Sequence, residues 1–230
     1  MFDCGFGIRD LHRRLERAGC RPEELSAVFV THEHGDHGQG VLPLAKRYGM
    51  PVWMSNGTFQ GLGKDFSDID LNFCRDGDSV AVGNLEITAF TVSHDAREPL
   101  QFHLTDGTVK VGMLTDTGQV TPHIMRELSA CHLLYLECNY DEEMMKTSVY
   151  PAHLKKRIRS AYGHLSNHDA ADFLREIDRS CLKKVVAAHL SQNNNLPVHA
   201  RNAVEASVSP YGIDVIVADQ DNGFDWIELG

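Results

Sequence analysis

Thr31-His32-Glu33-His34-Gly35-Asp36-His37 packs three imidazoles and two carboxylates into seven residues. The run before it, Ala27-Val28-Phe29-Val30, is apolar and rich in β-branched side chains, the pattern of a buried strand. Val41-Leu42-Pro43-Leu44-Ala45 follows, in a segment expected to be helical from about Asp36. The cluster is therefore expected at a strand end, on the turn before a helix. His32 and His34 are two residues apart, so on an extended turn both imidazoles face one ion, while Asp36 and His37 turn toward a second position. Nitrogen and carboxylate donors without thiolate suit Zn²⁺ or Mn²⁺. The alternative is a solvated histidine-rich turn, but this order of residues rarely arises by chance, even in a chain with 13 histidines.

The 230 residues are 42% hydrophobic and 23% charged, the proportions of an ordinary globular protein, and are expected to form one domain, residues 1–230. No apolar run is long enough to span a membrane, and Met1-Phe2-Asp3-Cys4-Gly5 has neither the basic region nor the apolar core of a secretory signal. Six scattered cysteines, without a C-x-x-C pair, are expected as free thiols in a reducing cytoplasm. A net charge of −10 argues against non-specific coating of nucleic acid, although a local basic strip can still dominate a site. No signature of an oligomeric interface is legible.

Along the chain, residues 3–7 are expected as a strand end and turn, and Ile8 to Ala18 as an amphipathic helix closed by Gly19. Pro51-Val52-Trp53-Met54 resembles a short buried strand, so the order is β-α-β, as in a layered α/β architecture. Residues 55–75 carry no decisive pattern beyond a loop or short helix. Strands are expected at 85–92, at 101–104 and at 108–114, the last two joined by an Asp106-Gly107 hairpin turn. Thr121-Pro122 has the form of an N-cap followed by proline at the first helical position. Further strands are expected at 132–138, 185–188, 213–217 and 224–227, and helices at 151–161, 167–179 and 197–208.

Candidate ligands recur at these strand ends: His94, Asp116 and His189. One ion is expected to take His32, His34 and His94, and a second Asp36, His37 and His189, with Asp116 bridging. Two divalent ions roughly 3.5–4 Å apart can hold a hydroxide and stabilise both attacking and leaving oxygens.

H-x-H-x-D-H, then a histidine, an aspartate in a T-D-T-G turn and a late histidine, resembles the metallo-β-lactamase superfamily. That resemblance implies a four-layer αββα sandwich with two metals at one edge of the sheets. Within it, Ser148-Val149-Tyr150-Pro151, Leu154-Lys155-Lys156-Arg157-Ile158, Gly163-His164-Leu165-Ser166-Asn167 and His189-Leu190-Ser191-Gln192-Asn193-Asn194-Asn195 resemble the YycJ/WalJ family. That family is related to ribonuclease Z and ribonuclease J and is regarded as containing DNA exonucleases, and the similarity runs from Asp3 to about Asn195. Its members usually open with a Gly/Ser-rich hairpin some 20–30 residues ahead of the D-C-G-F stretch. This chain opens almost at Asp3, so the first strands of one sheet are expected to be absent, leaving an unpaired edge.

By similarity to the A/G-H-x-S motif of ribonuclease Z-like enzymes, His164 would face the scissile phosphate and protonate the leaving oxygen, with Glu137 holding its other nitrogen. Ser166 and the backbone N–H groups opening the next helix would bind phosphate, or Ser166 and Asn167 would simply cap that helix. Lys155, Lys156 and Arg157, with Arg159, would neutralise an entering strand or line a solvated helix face. Asn193 offers a contact to sugar or phosphate, or a turn. The resemblance thus implies a 5′-to-3′ exonuclease acting on DNA through a metal-bridging hydroxide that Asp36 helps to orient. A glyoxalase II-like thioester or lactone hydrolase would use the same ligands without the His-x-Ser motif, and a metal-binding protein without turnover is a third reading.

Overall fold

The computed structural model describes residues 1–229. They fall into two compact units, Met1–Thr91 with Ala96–Gln101, and Val92–Asp95 with Phe102 onward.

The first unit opens with Met1–Asp3 laid against the edge of β1 (Val28–Phe29), with a parallel bridge between Phe2 and Phe29. Helix α1 (Ile8–Arg17) follows, and its buried stripe centres on Leu11, with Ile8 and Leu15 packed against the same core. After β1 the chain makes one helical turn, α2 (Gly35–Gly38), and then α3 (Val41–Tyr48). The expected helix is thus two pieces, broken at Gln39-Gly40. Gly40 is bound to the break by a hydrogen bond from its N–H to the Cys4 carbonyl, and a Cβ there would stand 2.0 Å from the Phe6 carbonyl oxygen. Strand β2 (Val52–Met54), helix α4 (Asn56–Leu62) and β3 (Leu71–Phe73) complete a three-stranded parallel sheet in the order β1-β2-β3. Parallel neighbours require crossover connections, which α2, α3 and α4 supply. Ser55 caps α4 by accepting from the Thr58 N–H, and the left-handed Gly63 ends it. Strands β4 (Ser79–Val82) and β5 (Leu85–Thr91) form an antiparallel hairpin.

The second unit is built on β6 (Leu100–Thr105) from Phe102 onward, β7 (Lys110–Leu114), β8 (Leu133–Glu137), β9 (Lys184–Ala188) and β10 (Asp214–Val217). Their order is β10-β9-β8-β7-β6, parallel from β7 to β10, with β6 antiparallel to β7. Helices α5 (Pro122–Leu128), α6 (Glu142–Thr147), α7 (Ala152–Ile158), α8 (Asn167–Glu176) and α9 (Pro197–Val208) connect them. Thr121 caps α5 through the Ile124 N–H, with Pro122 at the first helical position as expected. Leu134, Leu136, Val185 and Val186 are essentially without exposure, as are Leu174 and Val204 on α8 and α9. Full burial of each such side chain stabilises by about 1.5–3 kcal/mol.

One expected strand is absent: residues 224–227 are irregular backbone. Asp219 and Gly223 close a turn on themselves, and Ile227 and Leu229 pack by their side chains against Leu133, Val186 and Ala188. The apolar pattern of that segment comes from covering a sheet face, which needs no ladder partner.

Candidate metal centre

The two units each carry part of the expected ligand set. In the first, β1 ends at Phe29, and after Val30 the residues Thr31 to His37 turn back into α2. His32 Nε2 lies 3.0 Å from His34 Nδ1, and the His32 and His37 rings are 4.1 Å apart. His37 Nε2 stands 3.5 Å from Asp36 Oδ2, beyond hydrogen-bond range. Asp36 has a side chain 72% exposed, whereas His32 and His37 are buried.

A residue outside the sequence expectations organises this turn. Asp3 Oδ1 accepts from the Thr31 N–H at 2.8 Å, and Oδ2 accepts from the Thr31 hydroxyl at 2.9 Å. The Thr31 oxygen, having spent its proton, must accept from His32 Nδ1 at 2.9 Å. Asp3 Oδ2 also lies 2.8 Å from His37 Nδ1. Both rings therefore carry their proton on Nδ1 and offer Nε2 as the ligand atom. The Asp3 segment is clamped to the cluster by the Cys4 N–H on the His37 carbonyl at 2.7 Å. Gly5 permits that approach, since a Cβ there would fall 1.9 Å from the Asp36 carbonyl oxygen. The signal was present in Asp3-Cys4-Gly5, but Asp3 and Thr31 are 28 residues apart and no local periodicity connects them.

In the second unit three parallel strands deliver groups to one edge. Leu114 pairs with Leu136, and Glu137 with Ala188, so Asp116, Glu137 and His189 all leave the carboxyl ends of adjacent strands. Carboxyl ends of parallel strands are where α/β folds place their ligands. Asp116 and His189 hold left-handed backbones, φ 52° and 56°, which turn their side chains back over the edge. Glu137 is fully buried and accepts four hydrogen bonds. Oε1 takes His164 Nδ1 at 2.8 Å and His189 Nδ1 at 2.7 Å, and Oε2 takes the N–H groups of Leu165 at 3.0 Å and Thr117 at 3.3 Å. Burial pushes the Glu137 carboxyl up, but the hydrogen bonds from the two imidazoles outweigh it and hold the carboxyl below its ordinary range. For His164 burial acts downward, yet Glu137 raises the imidazole above its ordinary value. His94, nearly sealed from solvent, is pushed down by burial, and its Nδ1 donates to the Gly163 carbonyl at 3.1 Å.

These residues fit a divalent ion. Asp116, Glu137, His164 and His189 bring one donor atom each within 4.8 Å of one another. Asp116 Oδ1 lies 3.6 Å from His189 Nε2 and 3.8 Å from His94 Nε2. Both distances are too long for hydrogen bonds. They are close to the separation of about 3.3 Å between two ligands on one tetrahedral zinc with bonds of about 2.0–2.1 Å. A carboxylate oxygen at that spacing from two imidazoles is placed to share an ion with either of them.

The expected substrate groups are engaged within the second unit. Ser166 is a capping residue: its Oγ accepts from the Asp169 N–H at 3.0 Å and donates to Asp169 Oδ2 at 2.7 Å. Asn167 is buried, in a reciprocal amide pair with Asn195 at 2.8 and 2.9 Å. Lys155 donates to the Lys146 carbonyl, Arg157 binds Asp95, and Asn193 donates to the Tyr150 hydroxyl. Lys156 remains exposed on α7. All six cysteines are free, and no helix among the described residues is long and apolar enough to cross a membrane.

Residues 1–190 match the family model of the beta-lactamase superfamily domain. The chain is 31% identical to exodeoxyribonuclease YycJ of Bacillus anthracis over 218 residues, 94% of this chain and 83% of that protein. It is 32% identical to exodeoxyribonuclease WalJ of Streptococcus pneumoniae, over 85% of this chain and 75% of that protein. Among solved structures, the metallo-β-lactamase fold protein YhfI of Bacillus subtilis superposes with a TM-score of 0.74 at 20% identity, over 98% of this chain and 85% of that one. A fold of this type and a donor set of imidazoles and carboxylates make the protein a metal-dependent hydrolase. The chain belongs to the beta-lactamase superfamily domain family, beside the YycJ/WalJ proteins.

Proposed function

We propose that the protein is a phosphodiesterase using two divalent ions, Zn²⁺ or Mn²⁺, and that it degrades DNA as a 5′-to-3′ exonuclease. The observation that carries this reading is the Glu137 carboxylate shared between His164 and His189, at 2.8 and 2.7 Å. One carboxylate thereby orients both an expected metal ligand and an imidazole with a proton to give. The order of ligands along the chain assigns His32, His34 and His94 to one ion, and Asp36, His37 and His189 to the other, with Asp116 shared. When bound, the ions would supply Lewis acidity and an activated water for attack on phosphorus.

The remaining work falls to the side chains. His164 keeps its Nδ1 proton on Glu137 and, as imidazolium, carries a second proton on Nε2, which it gives to the departing oxygen. The Glu137 carboxylate raises the imidazole above its ordinary value, which favours the protonated form. Asp36 orients the attacking water. Ser166 and Asn167 serve by fixing the start of α8 behind His164, and Lys156 offers the exposed charge that meets phosphate. The kinship with two proteins named exodeoxyribonucleases supports DNA as the substrate.

The test is cleavage of 5′-labelled single- and double-stranded DNA and RNA by Mn²⁺- and Zn²⁺-loaded protein, against His164→Ala at matched metal content. Metal-dependent cleavage of DNA from the 5′ end that falls by about 10²–10⁴ in the variant is expected for loss of a general acid. Hydrolysis of a thioester or lactone that survives the substitution, with no oligonucleotide cut, would overturn the reading.

A further inference from the structure

We propose that Tyr162 is the platform on which the nucleobase beside the scissile phosphodiester stacks, which makes an unpaired strand or frayed end the preferred substrate. The inference rests on the nuclease reading and deepens it.

Tyr162 precedes His164 by two residues, with Gly163 between them. Two peptide units span at most about 7 Å, so the Tyr162 backbone stands within about that distance of the backbone of His164, the residue proposed to face the phosphate. The residue is 61% exposed. Two other exposed rings of this unit are covered on one face: the Arg179 guanidinium lies 4.3 Å from the Tyr211 centroid, and Phe224 meets Tyr135 at 6.2 Å. The Tyr162 ring and hydroxyl have no such contact among the described residues.

Its backbone, by contrast, is fixed at every step. The Tyr162 N–H donates to Ser160 Oγ at 3.3 Å, and its carbonyl accepts from the Asp95 N–H at 3.0 Å. The Gly163 N–H binds the Ser160 carbonyl and the His164 N–H binds the Ile158 carbonyl, both at 2.9 Å. The turn after Asp116 backs this loop so closely that a Cβ on Gly118 would fall 2.2 Å from the Ser160 carbonyl oxygen and 2.5 Å from the Gly163 nitrogen. A bare aromatic face is thus presented from a rigid support, which lowers the ordering cost of binding. Arg157 pairs with the same Asp95 whose backbone holds Tyr162, and Lys156 is exposed on the helix leading into the loop. An aromatic face with neighbouring cations is how proteins hold single strands: every base has a π-face and every nucleotide a phosphate. In a duplex those faces are occupied by neighbouring pairs except at an end, hence the preference for unpaired nucleotides.

The experiment compares the metal-loaded wild type with Tyr162→Phe and Tyr162→Ala, using single-stranded DNA with 2-aminopurine in the terminal nucleotides. Affinity is measured on a phosphorothioate-linked version and turnover on the ordinary one. Wild type and Tyr162→Phe are expected to quench 2-aminopurine. Tyr162→Ala is expected to abolish the quench and raise KM by about 5- to 150-fold, the range for one lost stack, with kcat near that of wild type. An abasic nucleotide at the stacked position should bring wild type down to Tyr162→Ala. Equal KM for wild type and Tyr162→Ala, or a deficit that persists on the abasic strand, overturns the platform while cleavage itself stands. Failure of the wild type to cut any oligonucleotide overturns the nuclease reading, and the platform with it.

Discussion

Glu137→Gln isolates what the shared carboxylate does. All four partners of Glu137 are donors, and a glutamine has only one acceptor oxygen. If its amide nitrogen faced Thr117 and Leu165, two buried backbone N–H groups would lose their acceptor, at about 1–3 kcal/mol each. Those donors are peptide groups and cannot change form. The imidazoles can, by moving the proton from Nδ1 to Nε2. The amide should therefore keep its oxygen on the backbone side and turn its nitrogen toward His164 and His189. That choice protects the fold and ruins the site, because the proton then sits on the nitrogen that His189 needs for an ion. Zn²⁺ affinity should fall about 10–100-fold, or roughly 1.4–2.7 kcal/mol, while the melting temperature of the metal-free chain moves by only a few degrees. Isothermal titration with Zn²⁺, paired with calorimetric melting in chelator, measures both. Unchanged Zn²⁺ affinity, or unfolding of the metal-free variant, would refute the tautomer argument.

Two further predictions concern packing and thiols. Gly163→Ala places a Cβ 2.0 Å from the Ile158 carbonyl oxygen and 2.4 Å from that of Arg157, both backbone atoms, so the loop must shift. The variant should lose about 1–3 kcal/mol and several degrees of melting temperature, together with turnover; thermal melting at wild-type values would contradict the close approach. For the thiols, burial pushes Cys74 up to about 12 and Cys131 to about 11, and raises Cys138 and Cys4 as well. With the thiolate as the reactive form, iodoacetamide at pH 8 should label the half-exposed Cys20 and Cys181, and the other four only after denaturation, as peptide mass mapping would reveal.

The parts of the molecule that were legible in sequence are those whose meaning is local. His32 to His37 is a contiguous cluster, and Asp116 and His189 follow apolar runs that become strands β7 and β9, on either side of β8. The Thr121-Pro122 cap was legible for the same reason, as it involves only the Ile124 N–H. Asp3 was not legible, because its role depends on two peptides meeting across 28 residues. The hold of Glu137 on His164 was implied by the family resemblance, but its second grip, on His189 52 residues downstream, was not legible. The basic run before Gly163 looked uniform in sequence, but its members separate by what lies within reach: Lys155 finds a carbonyl, Arg157 finds Asp95, and Lys156 faces solvent. Residues 224–227 mislead because covering a sheet and joining it leave the same apolar trace.

Among the described residues four non-glycine positions hold a left-handed backbone, and three of them are Asp3, whose carboxylate fixes the turn of His32 to His37, and the expected ligands Asp116 and His189. Each such conformation costs on the order of 1–3 kcal/mol, less for aspartate than for most residues. A lineage released from the need for chemistry would therefore gain stability by drifting to glycine or asparagine at these three positions. The same replacements would be the easiest stabilising changes for an engineer to select and the surest to silence the protein. Fitness of the chain as a catalyst and fitness as a folded object pull in opposite directions at Asp3, Asp116 and His189, so glycine there in a copy of this sequence would mark a retired enzyme.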